Sequence, residues 1–266
     1  MDKIGFIGCG HMGEAMLAGC LQAGLCQPAD LLVHSADLSA DRRLNEIYGV
    51  FTAVDNRSLA KAAKYLILAV KPQVYQSVIT EIRPVVTTEH VIISISPSWT
   101  IDLMAETLAK ENLKLVHAIP NTPAMVGSSM TGLCFGDHLT AAEKETVLSF
   151  FQSFGLAAEI TADLVPAVLA TSSSSPAYVY MLIEALVQGG IEQGLRADQA
   201  TLFAAKTVEG AARMVLKTKK HPAELREAVC SPAGTTIAGV ATLEKAGFNG
   251  MVMAAMEASV RRLREM

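Results

Sequence analysis

The chain has 266 residues, of which 51% are hydrophobic and 18% charged, and its formal net charge is −4 at pH 7. This composition excludes a disordered chain and gives no electrostatic reason to bind nucleic acid. Mean hydropathy is high at +0.34, yet no stretch of about 18 residues is free of charges and turn formers, so we expect no membrane association.

The surplus of apolar residues predicts a large subunit interface. The cysteines are odd in number and widely spaced, at Cys9, Cys20, Cys26, Cys134 and Cys230. No C-x-x-C pair and no histidine at ligand spacing accompanies them, so we expect reduced thiols in a cytoplasmic protein and no metal site.

Apolar strand-like runs alternate with helical segments up to about residue 162. The predicted strands cover residues 3–8, 31–35, 65–70, 91–96 and 114–119, with edge strands at 130–136 and 156–160. The predicted helices cover residues 14–24, 39–48, 58–63, 74–81, 100–109 and 140–153. Continuous apolar strands separated by helices predict an α/β domain whose parallel sheet is covered on both faces.

No strand pattern follows residue 162. The predicted helices there cover residues 164–170, 175–193, 197–216, 222–229, 235–246 and 249–264. The segment 175–193 is apolar on nearly every side, which is typical of a helix that is buried all round. In a helical region this small, we expect a second subunit to enclose it. Ser172–Ser175 precedes it, and we expect one of these serines to cap the helix that begins at Pro176.

The glycine pattern G-x-G-x-x-G occupies residues 8–13, directly after the first strand and before the first helix. In this position Gly8 permits a tight turn, Gly10 lets a pyrophosphate approach the backbone and Gly13 lets helix and strand pack closely. The helix N-terminus then offers free N–H groups to the phosphates. The pattern therefore predicts a Rossmann-type dinucleotide-binding domain.

The end of the second strand decides between NADPH and NADH. No carboxylate stands where the strand should end, whereas Ser35 can bind a phosphate, and Arg42 and Arg43 follow in the next helix. These residues favour NADPH. Asp37 favours NADH if the strand runs two or three residues further, so NADH stays the alternative.

Two more strand ends border the expected ligand edge of the sheet. The third strand ends in the sequence AVKP at 69–72, and the fifth runs into a rigid turn, PNTPA, at 120–124 that contains Asn121. A further hydroxyl-rich segment, Ser231–Thr236, leads into a helix, where it can cap the helix, bind a carboxylate, or do both.

The six histidines are dispersed, and no Ser-His-Asp set can be assembled from the sequence. We interpret His117, inside an apolar strand, as a core residue and not as a base. The chemistry therefore depends on the cofactor and on hydroxyl groups.

Taken together, the motifs resemble the Δ1-pyrroline-5-carboxylate reductase family over nearly the whole chain. The matching segments are GFIGCGHMG (5–13), AVKP (69–72), PNTPAMVG (120–127), SPAYVYMLIEAL (175–186), HPAELREAV (221–229) and SPAGTTIAGVATLEKAGF (231–248). The last segment is the most specific. Where the family has glycine, this chain has serine at 173 and 175 and alanine at 233.

The resemblance implies a Rossmann-type dinucleotide-binding domain at 1–162 and an all-helical domain at 163–266 that binds substrate and dimerises. It implies reduction of 1-pyrroline-5-carboxylate to L-proline, the last step of proline biosynthesis, with hydride from NAD(P)H. It also implies a homodimer or a ring of dimers.

The resemblance also implies the site residues. The expected cofactor contacts include Asn121, from the turn after the fifth strand. The full set is Gly8, Cys9, Gly10, His11, Met12, Gly13, Ser35, Asn56, Ala69, Val70, Lys71, Pro72 and Asn121. The expected substrate contacts are Ser231, Gly234, Thr235 and Thr236. We expect catalytic roles for Thr236, through a hydrogen bond to the ring nitrogen, and for Ser175.

Three alternatives stay open on the sequence. The first is a reductase of a related cyclic imine carboxylate, since serine replaces glycine near the expected pocket. The second is a β-hydroxyacid dehydrogenase, which would need a lysine on the helix entering the second domain, and none lies between Lys144 and Lys206. The third is a dinucleotide sensor without turnover.

Overall fold

The computed structural model describes residues 2–265. The chain divides into two compact units, the first comprising Met1–Ser174 with Ser259–Met266 and the second comprising Ser175–Ala258. Each unit is described separately below.

The strands of the first unit form one eight-stranded sheet within the described residues. They are β1 (Ile4–Ile7), β2 (Leu31–His34), β3 (Phe51–Thr52), β4 (Tyr65–Leu68), β5 (Val91–Ser94), β6 (Lys114–Ile119), β7 (Ser129–Phe135) and β8 (Gly155–Glu159). Their order is β3-β2-β1-β4-β5-β6-β7-β8, and all neighbours are parallel except β6 and β7. The order reverses between β1 and β4, which places the ligand crevice of a doubly wound sheet outside the carboxyl ends of these strands.

Helices cover both faces of this sheet. They are α1 (His11–Gln22), α2 (Leu38–Tyr48), α3 (Asn56–Ala62), α4 (Tyr75–Ile82), α5 (Ile101–Leu108), α6 (Ala141–Gln152) and α7 (Val165–Val168). Side chains alternate along β1, so that Ile4 and Phe6 pack with α1 and α6 on one face while Ile7 packs with α3 and α4 on the other. The predicted α/β fold class with two covered faces is confirmed.

The sequence does not predict strand β3, and it predicts helix α3 too short. β3 has only two residues, and the side chain of Phe51 is 54% exposed, so no apolar run announces it. Helix α3 begins two residues before the predicted start because the side chain of Asp55 accepts the N–H of Ser58 and caps it.

Helices alone follow β8 in the described part of the chain. Those after Ser174 are α8 (Ser175–Glu192), α9 (Ala197–Thr218), α10 (Pro222–Ala228), α11 (Thr235–Lys245) and α12 (Phe248–Arg264). The apolar helix α8 is poorly covered in the single chain, with Tyr180 60% and Met181 68% exposed. A helix that exposes such side chains needs a second surface to cover it.

The serine run, Ser172–Ser175, does not have the structure of the predicted helix cap. Helix α7 continues into a wide π turn at Leu169–Ser173, and Ser174 keeps helical dihedral angles before α8 begins. The N–H of Ser174 donates to the carbonyl of Leu169 at 2.9 Å, five residues back. Helix α8 begins at Ser175, close to the predicted start. The backbone is already helical when it reaches the serines, however, so Ser174 lacks the extended conformation of a helix cap. Single π turns inside helices frequently occur at functional sites.

Candidate active site

The turn from β1 to α1 brings the ends of two neighbouring strands very close together. Gly8 has a φ of +75°, and its N–H donates to the carbonyl of His34 at 2.7 Å. A Cβ at Gly8 would lie 2.5 Å from Cγ1 of Val70, just beyond the end of β4. Only glycine satisfies both the left-handed backbone and this close approach.

The N-terminus of α1 is open to a ligand. Gly10 is its N-cap, no side chain accepts its first N–H groups, and a Cβ at Gly10 would meet no atom within 4 Å. The free N–H groups and the space in front of them fit an anionic group such as a pyrophosphate. The predicted dinucleotide turn therefore has the local geometry that its ligand requires.

Cys9 lies inside the glycine turn but is not a nucleophile. It is 5% exposed, and burial raises the pKa of its thiol to about 12, with the charges of Glu14 and Asp41 adding to the effect. A thiol held in its protonated form is unreactive at neutral pH.

Arg43, one of the two arginines expected near the 2′-phosphate, forms an ion pair with Glu14. Both terminal nitrogens of Arg43 donate to the carboxylate of Glu14 on α1, at 2.8 and 2.5 Å. The hydrogen bond from Arg43 lowers the pKa of Glu14. Arg42 stays exposed on α2. The bidentate pair ties α2 to α1 and neutralises the acid in the first turn of α1.

Ser35 and Asn56 are two of the residues expected to contact the cofactor. Ser35 directly follows β2, and its N–H donates to Oδ2 of Asp41 at 2.9 Å. Asn56 is the first residue of α3, and its Nδ2 donates to Oε2 of Glu81 at 2.8 Å.

A cavity of about 220 Å³ lies at the carboxyl ends of β4, β5 and β6. It is lined by Met12, Ala69, Val70, Pro72, Ile95, Ser96, Pro97, Ile119, Pro120 and Ser173. Four of the predicted cofactor residues thus share one cavity. None of the lining side chains titrates, and the hydroxyls of Ser96 and Ser173 are their polar groups.

Asn121 positions the serine run. It is 7% exposed, and its Nδ2 lies 3.2 Å from both the carbonyl oxygen and Oγ of Ser172, to which it donates. Its Oδ1 accepts from Oγ of Ser129 and from the N–H of Met130, each at 3.1 Å. Ser172 Oγ in turn donates to the carbonyl of Met130 at 3.1 Å. This network fixes the π turn that carries Ser173 into the cavity.

Two other predicted residues have different surroundings. Lys71 is exposed beside the cavity, at the start of a short 3-10 turn. His117 is 2% exposed; its Nε2 bonds to the carbonyl of Ser96 at 2.9 Å, and burial lowers its pKa. The interpretation of His117 as a core residue is confirmed.

The second unit presents the segment Ser231–Thr236 at the start of α11. The N-cap is Gly234, no side chain caps the helix, and a Cβ at Gly234 would collide with Oγ of Ser231. Thr235 and Thr236 are exposed. Ala233 has a φ of +54°, a left-handed conformation that costs a residue with a Cβ about 1–2 kcal/mol. Free N–H groups at this helix start fit a carboxylate.

The sequence did not indicate four of the ten residues that line the cavity: Ile95, Ser96 and Pro97 after β5, and Ile119 at the end of β6. The signal was present, because parallel strands end at the same edge of the sheet. Among residues 2–265, no group of three or more His, Cys, Asp or Glu side chains can hold a metal ion. No helix of that range has the length and hydropathy to cross a membrane.

The comparisons with known proteins cover both halves of the chain. Residues 162–266 match the family model described as pyrroline-5-carboxylate reductase dimerisation. Residues 3–98 match the one described as NADP oxidoreductase, coenzyme F420-dependent.

Individual relatives agree with these matches. The chain is 38% identical to the pyrroline-5-carboxylate reductase of Escherichia coli over 254 residues, which are 96% of this chain and 94% of that protein. The solved pyrroline-5-carboxylate reductase of Coxiella burnetii has a TM-score of 0.91 and 32% identity, covering 99% of this chain and 98% of its own. That of Plasmodium falciparum, solved with NADP bound, has a TM-score of 0.91 and 29% identity, covering 99% and 97%.

The open space at Gly10 gives a direct test of the glycine turn. We predict that Gly10→Ala leaves the melting temperature unchanged but weakens the affinity for NADP⁺, the cofactor that the sequence predicts, about tenfold or more, because the methyl group occupies the phosphate position. Calorimetric titration and thermal melts measure the two effects. The contrast is Gly8→Ala, which should also lower stability, by about 1–3 kcal/mol. Unchanged NADP⁺ affinity in Gly10→Ala would contradict the assignment.

Proposed function

The chain belongs to the pyrroline-5-carboxylate reductase family, and we propose roles in that family's reaction for residues of both units. The protein is an NADP-dependent oxidoreductase that reduces 1-pyrroline-5-carboxylate to L-proline, the last step of proline biosynthesis. The chemistry of this function is supported above all by the cavity at the strand ends beside the glycine turn. Its lining contains no titratable side chain.

Such a cavity suits the reduction of an imine. A protonated imine is already a strong electrophile, so its carbon accepts a hydride without a tuned general acid. When bound, NADPH supplies that hydride. The protein has to orient the ring, hold its carboxylate and exclude water, which apolar walls, amides and hydroxyls can do.

We propose that the glycine turn holds the pyrophosphate through its backbone and that the adenosine end lies near Ser35 and Asn56. The proposed contacts are Gly8, Cys9, Gly10, His11, Met12, Gly13, Ser35, Asn56, Ala69, Val70, Lys71, Pro72 and Asn121. The open N-terminus of α1 supports the first part. Because the side-chain amide of Asn121 is fully engaged with Ser172, Ser129 and Met130, its proposed contact is through the backbone.

The substrate carboxylate is assigned to the start of α11. The uncapped N–H groups there and the hydroxyls of Ser231, Thr235 and Thr236 support this role. Gly234 is needed because a side chain would collide with Ser231. Thr236 donates its hydroxyl to the ring nitrogen, or accepts from it when the imine is protonated. Ser175, directly after the π turn, is the second proposed catalytic hydroxyl.

We propose the domain division at 162/163, with residues 1–162 binding the dinucleotide and residues 163–266 binding substrate and dimerising. The family match at 162–266 supports this boundary, although compact packing extends the first unit to Ser174. The dimerisation match and the exposed apolar side chains of α8 indicate a homo-oligomer. We propose a homodimer or a ring of dimers.

We also propose that the protein is cytoplasmic. Its five cysteines are free thiols, which a reducing compartment preserves.

A second candidate function is the reduction of a related cyclic imine carboxylate. The observation that favours it is the position of Ser173 in the cavity, where the family has glycine. A side chain there narrows the space for the ring and adds a hydroxyl.

The rate of NADPH oxidation with five- and six-membered cyclic imine carboxylates tests the function. We predict the highest kcat/KM with 1-pyrroline-5-carboxylate, and L-proline as the product by chromatography. A six-membered imine turned over more efficiently would establish the second candidate instead. Ser173→Gly is the matched variant, and it should leave the preference for the five-membered ring intact.

The hydroxyl of Thr236 gives the test of the mechanism. We predict that Thr236→Ala lowers kcat with 1-pyrroline-5-carboxylate about tenfold or more, because a hydrogen bond to the reacting nitrogen is lost. Thr236→Ser keeps the hydroxyl and should retain most of the rate. Equal kcat values for wild type and Thr236→Ala would remove Thr236 from the mechanism.

A further inference from the structure

A second cavity of the first unit lies between α5 and the start of α7, and residues of β6 and β7 line it. We call it the α5 cavity. Its volume is about 400 Å³, within the range of about 300–1,000 Å³ that is typical of small-molecule sites. None of its lining residues lines the cavity at the strand ends. The proposed reductase chemistry therefore makes no use of it.

His117 gives the α5 cavity a buried hydrogen-bond acceptor. The residue lines the cavity and is 2% exposed. Because a carbonyl oxygen only accepts, Nε2 carries the proton in the 2.9 Å hydrogen bond to Ser96. Burial lowers the pKa of His117, so the ring is neutral and Nδ1 keeps its lone pair.

No residue in the described part of the chain donates to this nitrogen. A buried acceptor without a donor destabilises the folded protein. Nδ1 of His117 is therefore suited to a ligand that brings an N–H or O–H group into the cavity.

Two carboxylates line the same cavity, and each lacks a cationic partner. They belong to Asp102 and Asp137, which are both exposed, and neither forms an ion pair within residues 2–265. The lysine of the lining, Lys110, donates from Nζ to the carbonyl of Val86 at 2.5 Å instead. A cation that enters the cavity meets two carboxylates that no other residue neutralises, which favours its binding.

We propose that the α5 cavity binds a small organic ammonium ion with an apolar body, which donates an N–H to Nδ1 of His117. Asp102 and Asp137 offset the charge of this ligand. Its body packs against the apolar part of the lining, which is formed by Ile101, Leu113, Leu115, Phe135 and Val165.

The hydrogen bond from His117 to Ser96 connects this site to the cavity at the strand ends, because Ser96 lines that cavity. The α5 cavity itself does not depend on the proposed dinucleotide site.

Three probes that share a cyclohexane ring test the site. They are cyclohexylamine, which is a cation at neutral pH, cyclohexanol and cyclohexanecarboxylate. Each is titrated into the full-length protein with isotope-labelled histidine, and NMR follows the imidazole nitrogens, with His117→Gln to assign the resonance. We expect the ammonium to bind with a millimolar Kd, about tenfold more tightly than the alcohol, and to shift the Nδ1 resonance of His117. The carboxylate should not bind.

The variants Asp102→Asn and Asp137→Asn test the role of charge without disturbing the core, since both side chains are exposed. Each should weaken binding of the ammonium about threefold and leave binding of the alcohol unchanged. The matched control is Glu106→Gln, because Glu106 is exposed on the same helix as Asp102 but lies outside the lining.

Three results would overturn the proposal. The first is an ammonium that binds no more tightly than the alcohol, or does not bind at all. The second is an Nδ1 resonance of His117 that stays in place while the ammonium binds. The third is a loss of affinity in Glu106→Gln as large as in Asp102→Asn and Asp137→Asn.

Discussion

The close approach of the ends of β1 and β4 at Gly8 is the constraint on which the rest of the first unit depends. A Cβ at that position would lie only 2.5 Å from Val70 Cγ1, and the backbone there is left-handed, with a φ of +75°, so the turn requires glycine. That turn aims the N-terminus of α1 at the point where the strand order reverses. The open helix end, the cavity beyond β4 and the adenosine side beyond β2 all follow from this geometry.

The second unit poses a different physical problem, which is how to cover apolar helices. Helix α8 has side chains such as Met181 and Leu186 exposed in a single chain. Exposing these apolar side chains to water is unfavourable, and a second copy of the chain can cover them. The apolar composition of the chain predicts such an interface, and the matched dimerisation family agrees with it.

Much of the fold could be predicted from the sequence because buried parallel strands form continuous apolar runs. β1, β4 and β5 belong to this class, and the helices between them followed from periodicity. β3 could not be predicted, since its two residues are exposed and carry no pattern. The π turn was hidden for another reason: serine composition suggests a linker or a cap, whereas the structure of Leu169–Ser173 depends on long-range bonds from Asn121.

The candidate site, too, could be predicted from the sequence only in part. Gly8, Met12 and Ala69 could be placed because a short motif fixes their backbone. The partners of Arg43 and Asp41 could not be predicted, because both contacts arise only from tertiary packing. Arg43 pairs with Glu14, 29 residues away, and the buried carboxylate of Asp41 accepts the N–H of Ser35.

The central claim is that the protein transfers hydride from the nicotinamide to the imine carbon in a site without a strong acid or base. The most direct measurement uses NADPH carrying deuterium at the transferable position of C4, with 1-pyrroline-5-carboxylate as acceptor and mass spectrometry of the product. L-Proline that carries the deuterium at C5 is the predicted result. Unlabelled proline formed while NADPH is oxidised, or no proline at all, would contradict it.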